Sequence, residues 1–588
     1  MKKRSKFASA GILCLAALTL AACAKNANNS DDTKTVKKFT VETPIKNVKN
    51  GGTVKVAVVA DTPFSGIFSQ ELSSEDVDSM VAAPGQETLF DSDDQYGVTN
   101  KGPATRKLDP KKKTITINIK KGVKWSDGKQ VVAKDFEYAY EILANKDTAC
   151  PRYSSQFEVL KGLKEYHEGK AKTISGIEMP DGENGRKIVL HCSALNPSMS
   201  NAGSRSLWEA VEPYHYLKDV PFAKLKSSDK IRKNPLFFGP FKMEKLVRGQ
   251  SVTWVPNKYY WRGKPKLDKV VISVVSSNSA SQAIKSHKFD IIPVINTQWP
   301  QIKTTKNVNF IAQIPIAYHY LGFKVGKWDA NKSKNVMNSN AKMNNKALRQ
   351  AIGYAMNVDA VNKRYTYGLT FRVKTLVPEK FGDYFDKTEK GYNYDLKKAN
   401  QILDKAGYKK KGKWRVQPNG KPLVIRFAAM SGDTTQEPIV QNYLQQWHKV
   451  GLNVQLATGR LIEHNSFYDK LQHDNKDIDM YLAGWSTPTE PSPHPYYSES
   501  APFNMTRFVT AKNNKLLDEI NSQKAFNHDY RVKKFHEWQR YMNEEAYVIP
   551  IDNSYQIFAV NDKISGYSLK PSKQNNSHPL WNEVGFIK

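Results

Sequence analysis

The chain has 588 residues and carries 89 Lys and Arg against 57 Asp and Glu, which gives a formal net charge of +32. This length is too great for one hydrophobic core, so we expect two or three packed units. The lysines are scattered singly and gather in no arginine-rich helix or aromatic RNA-binding motif, which argues against a nucleic-acid-binding protein and favours a solvated basic surface.

The first 22 residues have the pattern of a secretory signal peptide. Four basic residues within the first six precede an apolar run at 7–22 that is short for a membrane span. The run ends at Leu20-Ala21-Ala22-Cys23, which resembles a lipobox, in which the Cys23 sulfur would take a diacylglyceryl group. Residues 23–50 are polar and are predicted to form a flexible linker. No later run is long and apolar enough to cross a membrane, so we expect the body outside the cytoplasm.

Two cysteines remain in the body after Cys14 and Cys23 are assigned to the signal and the lipid. Cys150 and Cys192 would meet an oxidising compartment, so a disulfide between them is allowed. Nothing in the sequence fixes the distance between the two sulfurs, and the alternative of two thiols stays open.

The acidic residues are unusually concentrated between residues 71 and 94, where eight acids occur without a base. One interpretation is a cleft wall that attracts cationic groups of a substrate. The other is helix-dipole and solubility chemistry at the surface, since Asp76 and its neighbours would stand in the first turn of a predicted helix.

A strand, a turn and a helix are predicted between residues 114 and 143. Apolar and polar residues alternate strictly at 114–119, Ser126-Asp127-Gly128 suits a tight turn, and apolar residues recur at helical spacing from Phe136 to Leu143. The residues alone indicate a β-turn-α unit with Trp125 as a core anchor. Helix, glycine and strand alternate again between 395 and 456, which predicts an α/β protein.

The sequence of residues 122–143 resembles the signature motif of the peptide/nickel class of extracellular solute-binding proteins, which deliver substrates to ABC importers. Residues 238–242 and 255–272 resemble the same class, in the same order. The resemblance runs from about Val54 to Tyr567. It implies a two-lobed periplasmic-binding-protein-like fold (type II or cluster C) with an extra small lobe and a hinge. Lobe I would span 51–315, with a small subdomain at about 96–213, lobe II 316–547, and residues 548–588 would return to lobe I.

The expected binding segment follows a predicted strand at 478–483. The loop from Gly484 to Tyr497 is crowded with prolines, which makes it stiff. The resemblance implies that main-chain groups at Trp485, Ser486 and Thr487 bond a bound peptide as an added strand.

Two charged residues complete the expected site. The resemblance implies that an acid in this loop pairs with the α-ammonium of the peptide. This sequence has Glu490 at that place, where the class usually has Asp, so the acidic side chain is longer. Arg507 would either bind a carboxylate bidentately or form a structural ion pair.

Catalytic motifs are missing from the sequence: it contains no His-Glu-x-x-His, Gly-x-Ser-x-Gly, phosphate loop or Cys-x-x-Cys. We therefore expect no enzyme, no metal and no cofactor. The predicted function is a monomeric, lipid-anchored protein on the outer face of the cell membrane that captures oligopeptides for the membrane subunits of an ABC permease. Two alternatives stay open: a sensor of one signalling peptide or a carrier of nickel chelate or haem with the same fold, and a basic envelope adhesin that binds anionic polymers.

Overall fold

The computed structural model describes residues 39–73, 75–204, 206–432, 434–575 and 577–588. Thr40–Lys588 form one compact unit. The predicted signal peptide, Cys23 and most of the predicted linker lie outside the described residues. Across the described ranges, every helix is too short or too polar to span a bilayer.

A seven-stranded sheet, here called the large sheet, collects strands from four separate parts of the chain. Its central strands Thr53–Val59 and Lys269–Val275 run parallel. Val54 and Val270, one on each of these strands, are fully buried. In spatial order, the strands are Val308–Gln313, Gln556–Asn561, Ile291–Pro293, Thr53–Val59, Lys269–Val275, Ser251–Pro256 and Phe241–Val247.

The second sheet has five strands and supports the largest hydrophobic core. In spatial order they are Asn453–Leu456, Val424–Ala429, Met480–Ser486, Ala317–Phe323 and Val548–Pro550. The chain leaves the large sheet after Gln313 and returns to it at Gln556. Val548–Pro550 still belongs to the second sheet, so the return crossing lies a few residues after the predicted boundary at 547.

The small sheet has four antiparallel strands and packs against the helix Ala133–Ala144. Its strands are Ala104–Asp109, Thr114–Ile119, Lys187–His191 and Ile177–Glu178. The predicted strand at 114–119 is confirmed, as is the helix that follows it. Trp125 is the expected core anchor: its indole Nε1 donates to Asp135 Oδ2 at 2.9 Å, and its ring meets Phe238 edge-on at 5.4 Å.

Helices cover the sheets, and short strand pairs connect them. The longer helices are Ala133–Ala144, Lys346–Tyr354, Val358–Tyr365, Leu396–Lys405, Gln436–Lys449, His464–Gln472, Ala511–Asn521 and His528–Glu545. The shorter ones are Asp76–Ala82, Leu163–His167, Tyr214–Leu217, Phe222–Leu225, Asp229–Arg232, Ala280–Lys285, Trp299–Ile302 and His494–Tyr497. The remaining strands are Val48–Lys49 with Gly585–Ile587 and Ile564–Ser565, Gly326–Asp329 with Lys334–Met337, Thr370–Arg372 with Asp552–Ser554, Lys410–Lys411 with Trp414–Arg415, and Gln574–Asn575 with His578–Pro579.

A buried ion network lies at the border of the second sheet. Asp474 accepts from the Lys324 ammonium and from Arg507 Nε, the latter at 2.7 Å, and from the Trp328 main chain at 2.7 Å. Burial lowers the pKa of Lys324 to about 8, although Asp474 opposes that shift. Because Asp474 faces two buried cations, its loss would leave both without their counter-charge.

We expect Asp474→Asn to lower the free energy of unfolding by about 3–5 kcal/mol, the usual cost of removing one partner from a buried ion network. The measurement is urea unfolding followed by circular dichroism. The matched control is Asp477→Asn, three residues away, whose side chain is 68% exposed and pairs with the exposed Arg426. That variant should change by less than about 1 kcal/mol. Equal effects of the two variants would contradict a structural role for Asp474.

Candidate functional site

A cavity of about 440 Å³ lies where three distant stretches of the chain meet. Residues between 67 and 96 and between 202 and 210 form most of its wall, and residues between 571 and 577 close one side. Thr489, from the proline-rich loop that follows Met480–Ser486, completes the lining. This volume falls within the range of small-molecule and peptide side-chain pockets, so the cavity is a candidate binding site.

Part of the acidic stretch at 71–94 faces this cavity. Asp76, Asp78 and Glu87 all belong to its lining. Asp78 also organises the wall, because it accepts from the Gly66 main chain at 2.9 Å and from Ser73 Oγ at 3.2 Å. The cleft-wall interpretation therefore agrees with the location of these acids, and Asp78 has a structural role in addition.

Glu87 is the acid of this wall whose ionisation is most perturbed. It is 3% exposed and accepts from the Tyr260 hydroxyl at 2.8 Å and from Arg262 Nη2 at 3.3 Å. Burial raises the pKa of Glu87 to about 7, while the Arg262 charge works in the opposite direction. Glu87 is thus half ionised near neutral pH and sits where a ligand would feel its charge.

Glu71 and Glu212 form a pair of neighbouring carboxyl groups behind the cavity wall. Glu71 accepts from Ser69 Oγ at 2.9 Å and from Trp208 Nε1 at 2.6 Å, and both donors line the cavity. Burial raises the pKa of Glu212 well above its usual range, and the neighbouring Glu71 carboxylate raises it further. The hydrogen bond from Trp208 to Glu71 holds the indole in place at the cavity wall.

The strand Met480–Ser486 ends three residues before Thr489, which lines the cavity. It pairs with Ala317–Phe323 along its whole length, but its pairing with Val424–Ala429 ends at Leu482. On that side, residues 483–486 have no neighbouring strand in the described part of the chain. The Thr487 N–H donates to Ile316 O at 2.8 Å, so by antiparallel alternation the Ser486 main chain points toward the uncovered edge.

Aromatic rings fix the end of this strand. Trp485 is half-buried and stacks on Tyr320, with 6.3 Å between ring centroids, and it contacts Tyr496 at 4.9 Å. Phe503, which is 44% exposed, meets the indole edge-on at 5.8 Å. The uncovered edge is therefore held by rigid packing, which lowers the entropic cost of binding.

The two charged residues expected at the site make buried structural contacts. Glu490 Oε1 accepts from Arg531 Nη2 and from the Ser492 main chain, both at 2.9 Å. Arg507 donates to Asp474, to Asn335 Oδ1 at 3.2 Å and to the main-chain oxygens of Pro502 and Gln472 at 2.8 and 3.0 Å. For Arg507 this is the structural ion pair, the second of the two roles considered.

The disulfide considered between Cys150 and Cys192 is not formed, because both residues are free thiols. Cys192 is fully buried against the small sheet, whereas Cys150 Sγ donates to Glu71 O at 2.9 Å. Burial raises the pKa of each thiol to about 11. Within the described ranges, no group of three or more His, Cys, Asp or Glu is placed to hold a metal ion.

Sequence reasoning located the strand but missed most of the cavity. None of Trp485, Ser486, Thr487, Glu490 and Arg507 lines it, whereas Thr489 does. The acidic stretch was the one available signal. Trp208 and the residues between 571 and 577 carry no local pattern that would point to a binding site.

Comparison with known proteins identifies the family. Residues 99–507 match the family described as bacterial extracellular solute-binding proteins, family 5 Middle. The oligopeptide-binding protein OppA of Lactococcus lactis subsp. cremoris (strain SK11) is 38% identical over 586 residues, which cover 98% of this chain and 97% of that protein. The oligopeptide-binding protein AppA of Bacillus subtilis (strain 168) is 22% identical, with 99% of each chain covered.

Solved structures give the same answer for the fold. Lactococcal OppA, complexed with an endogenous peptide in the closed conformation, superposes with a TM-score of 0.77 at 38% identity and covers 91% of this chain and 100% of its own. Bacillus subtilis AppA, in complex with a nonapeptide, has a TM-score of 0.66 at 20% identity and covers 92% and 100%. These likenesses confirm the predicted α/β fold of the cluster C substrate-binding class, whose members are binding proteins rather than catalysts. The chain belongs to family 5 of the bacterial extracellular solute-binding proteins.

Proposed function

We propose that this protein binds oligopeptides for uptake by an ABC-type peptide permease. The observation that carries the proposal is the strand end at residues 483–486, which has no strand partner on one side and leads within three residues to Thr489 in the wall of a cavity of about 440 Å³. A peptide in extended conformation would pair with this edge as an additional strand. The similarity to proteins named oligopeptide-binding, at 38% identity over nearly the full length, supports the same substrate class.

Affinity in this arrangement comes mainly from the peptide backbone. Each main-chain hydrogen bond contributes about 0.5–1.5 kcal/mol net, and the Ser486 main chain would supply the first of them. Thr489, three residues further, would lead the ligand into the cavity, where its side chains meet the acidic wall. Because main-chain bonds are the same for every residue type, we expect many different peptides to bind.

Closure around the ligand would use the two chain crossings between the sheets. The segments 314–316 and 551–555 join the large sheet to the second sheet, and Asn553 Nδ2 donates to Pro315 O at 2.9 Å between them. Two neighbouring chain crossings of this kind are a natural hinge. We infer that the large and small sheets form one lobe and the second sheet the other. A lipid at Cys23 would keep the peptide-binding protein at the outer face of the membrane, near the permease subunits.

Isothermal titration calorimetry with short peptides tests the proposal. We expect binding of mixed-sequence peptides, and a loss of at least about tenfold in affinity when a single central amide is N-methylated, since one main-chain hydrogen bond and close strand pairing are then lost. Swapping one side chain at the same position is the control and should matter less. No heat and no thermal shift with any peptide would contradict the proposal.

The role of Glu490 can be separated from ligand recognition with Glu490→Gln. Because the carboxylate pairs with Arg531 inside the protein, we expect the free energy of unfolding to fall by about 1.5–3 kcal/mol. The ratio of affinities for a free peptide and its amino-terminally acetylated form should not change. Glu544→Gln, at a side chain that is 66% exposed, is the control for stability. A selective loss of binding to free peptides would instead place Glu490 at the ligand ammonium.

The acidic wall predicts a pH-dependent preference for cationic peptides. Glu87 has a pKa of about 7, so it gains negative charge as the pH rises through neutrality. We expect the affinity ratio of a lysine peptide to its norleucine analogue to increase between pH 6 and 8, roughly one unit on either side of that pKa. Glu87→Gln should flatten this dependence, and Asp477→Asn, far from the cavity, should leave it intact. A constant ratio in the wild type would remove Glu87 from ligand recognition.

A further inference from the structure

The three stretches that carry the family resemblance pack against one another, although more than ninety residues separate the first from the others. Trp125 meets Phe238 at 5.4 Å, and Ser126 N donates to Phe237 O at 2.8 Å. A Cβ added at Gly128 would lie 2.8 Å from Tyr259 Cζ, so the turn at 126–128 rests directly on that ring. Trp125, Phe237 and Phe238 are buried, whereas Tyr259 is half-buried and Asp127 and Lys129 are exposed, so these contacts hold the turn and the Tyr259 ring at the protein surface above a buried base.

Lysines surround two aromatic rings on this surface. The Lys124 and Lys258 ammonium groups lie 5.9 and 4.8 Å from the Tyr259 ring centroid. The Lys120 ammonium lies 5.3 Å from the Trp261 ring and donates to Lys101 O at 3.0 Å. Together with Lys129, which follows Gly128, they form what we call the basic–aromatic patch: Lys101, Lys120, Lys124, Lys129, Lys258, Tyr259 and Trp261.

The charge of the patch is not neutralised within the protein. In the described part of the chain, none of its five lysines takes part in an ion pair, although other lysines do. The nearby acids pair with other groups: Asp127 Oδ2 lies 2.8 Å from His215 Nε2, and Glu87 and Asp91 form ion pairs with Arg262. The patch therefore presents five unpaired positive charges to whatever lies outside.

The proposed peptide site does not account for this arrangement, since no residue of the patch lines the cavity. Tyr259 and Trp261 are half-buried, so each offers an apolar ring next to ammonium groups. Rings of this kind settle at the boundary between lipid headgroups and acyl chains, and lysines beside them gain energy from anionic phosphates. A soluble polyanion would use the lysines but would gain little from the rings.

We propose that the basic–aromatic patch is a docking surface for a membrane that contains anionic phospholipid, with Tyr259 and Trp261 at the headgroup boundary. This contact is separate from any lipid on Cys23 and from peptide binding. It would hold the body of the protein against the bilayer in one orientation. The attraction between the lysines and the phosphates is electrostatic. Added salt would weaken it, because the screening length is about 10 Å at 0.1 M ionic strength and becomes shorter at higher salt.

The test is sedimentation of the protein with vesicles, using the chain from Ala24 onward, which keeps the whole compact unit and lacks Cys23. Vesicles of phosphatidylcholine with phosphatidylglycerol are compared with phosphatidylcholine alone. We expect binding to the anionic vesicles only, and at least about a tenfold loss for the triple variant Lys120→Gln, Lys124→Gln, Lys258→Gln. Tyr259→Ser should weaken binding at unchanged net charge.

The matched control is the triple variant Lys409→Gln, Lys410→Gln, Lys411→Gln, at an exposed hairpin that has the same charge but a different position. It should retain binding within about twofold. Equal loss in both triple variants would mean that overall charge, not the patch, attracts the membrane, and would overturn the proposal. Stronger binding to soluble poly(glycerol phosphate) than to vesicles would overturn it in favour of a polymer. Unchanged circular dichroism and peptide affinity establish that both variants are folded.

Discussion

The early end of one strand pairing governs the proposed activity. Val424–Ala429 stops pairing with Met480–Ser486 at Leu482, while Ala317–Phe323 continues to Ser486 on the other side. Residues 483–486 are thus paired on one edge and without a strand partner on the other, and Thr489, three residues further, lines the cavity. A fully paired strand would leave no main-chain groups for a ligand, and an unpaired one would not be held in place. The Tyr320 and Tyr496 rings that contact Trp485 help to hold this half-paired strand end in place.

The distribution of charge separates the inside of the molecule from the outside. The chain is strongly basic, yet acids line or back the cavity at Asp76, Glu87 and Glu71. The basic outer surface of the protein would weakly repel ligands with positive groups, and the acidic wall of the cavity would attract them. An anionic surface that approaches the protein would meet mainly lysines. Acidic and basic groups are thereby placed on different sets of residues, since the cavity wall contains acids and no residue of the basic–aromatic patch lines it.

Local patterns in the sequence predicted local structure well. Strict alternation gave the strand 114–119, and the helical spacing after Phe136 gave the helix Ala133–Ala144, because both periods depend only on neighbouring residues. Glu490 shows the limit of this reasoning. Its partner Arg531 lies 41 residues later, on the helix His528–Glu545, and no spacing rule could reveal a buried pair at that distance. The cavity was missed for the same reason, since its walls come from opposite ends of the chain.

The two thiols offer an experimental consequence. Cys192 is fully enclosed, Cys150 is tied to a carbonyl, and both hold their protons well above neutral pH. Maleimide reagents react with thiolates, so the native cysteines would label slowly in the folded state. A pair of cysteines introduced at exposed positions on either side of the chain crossings could then carry a donor and an acceptor dye without background. Energy transfer between the dyes would follow opening and closing in single molecules of otherwise unaltered protein.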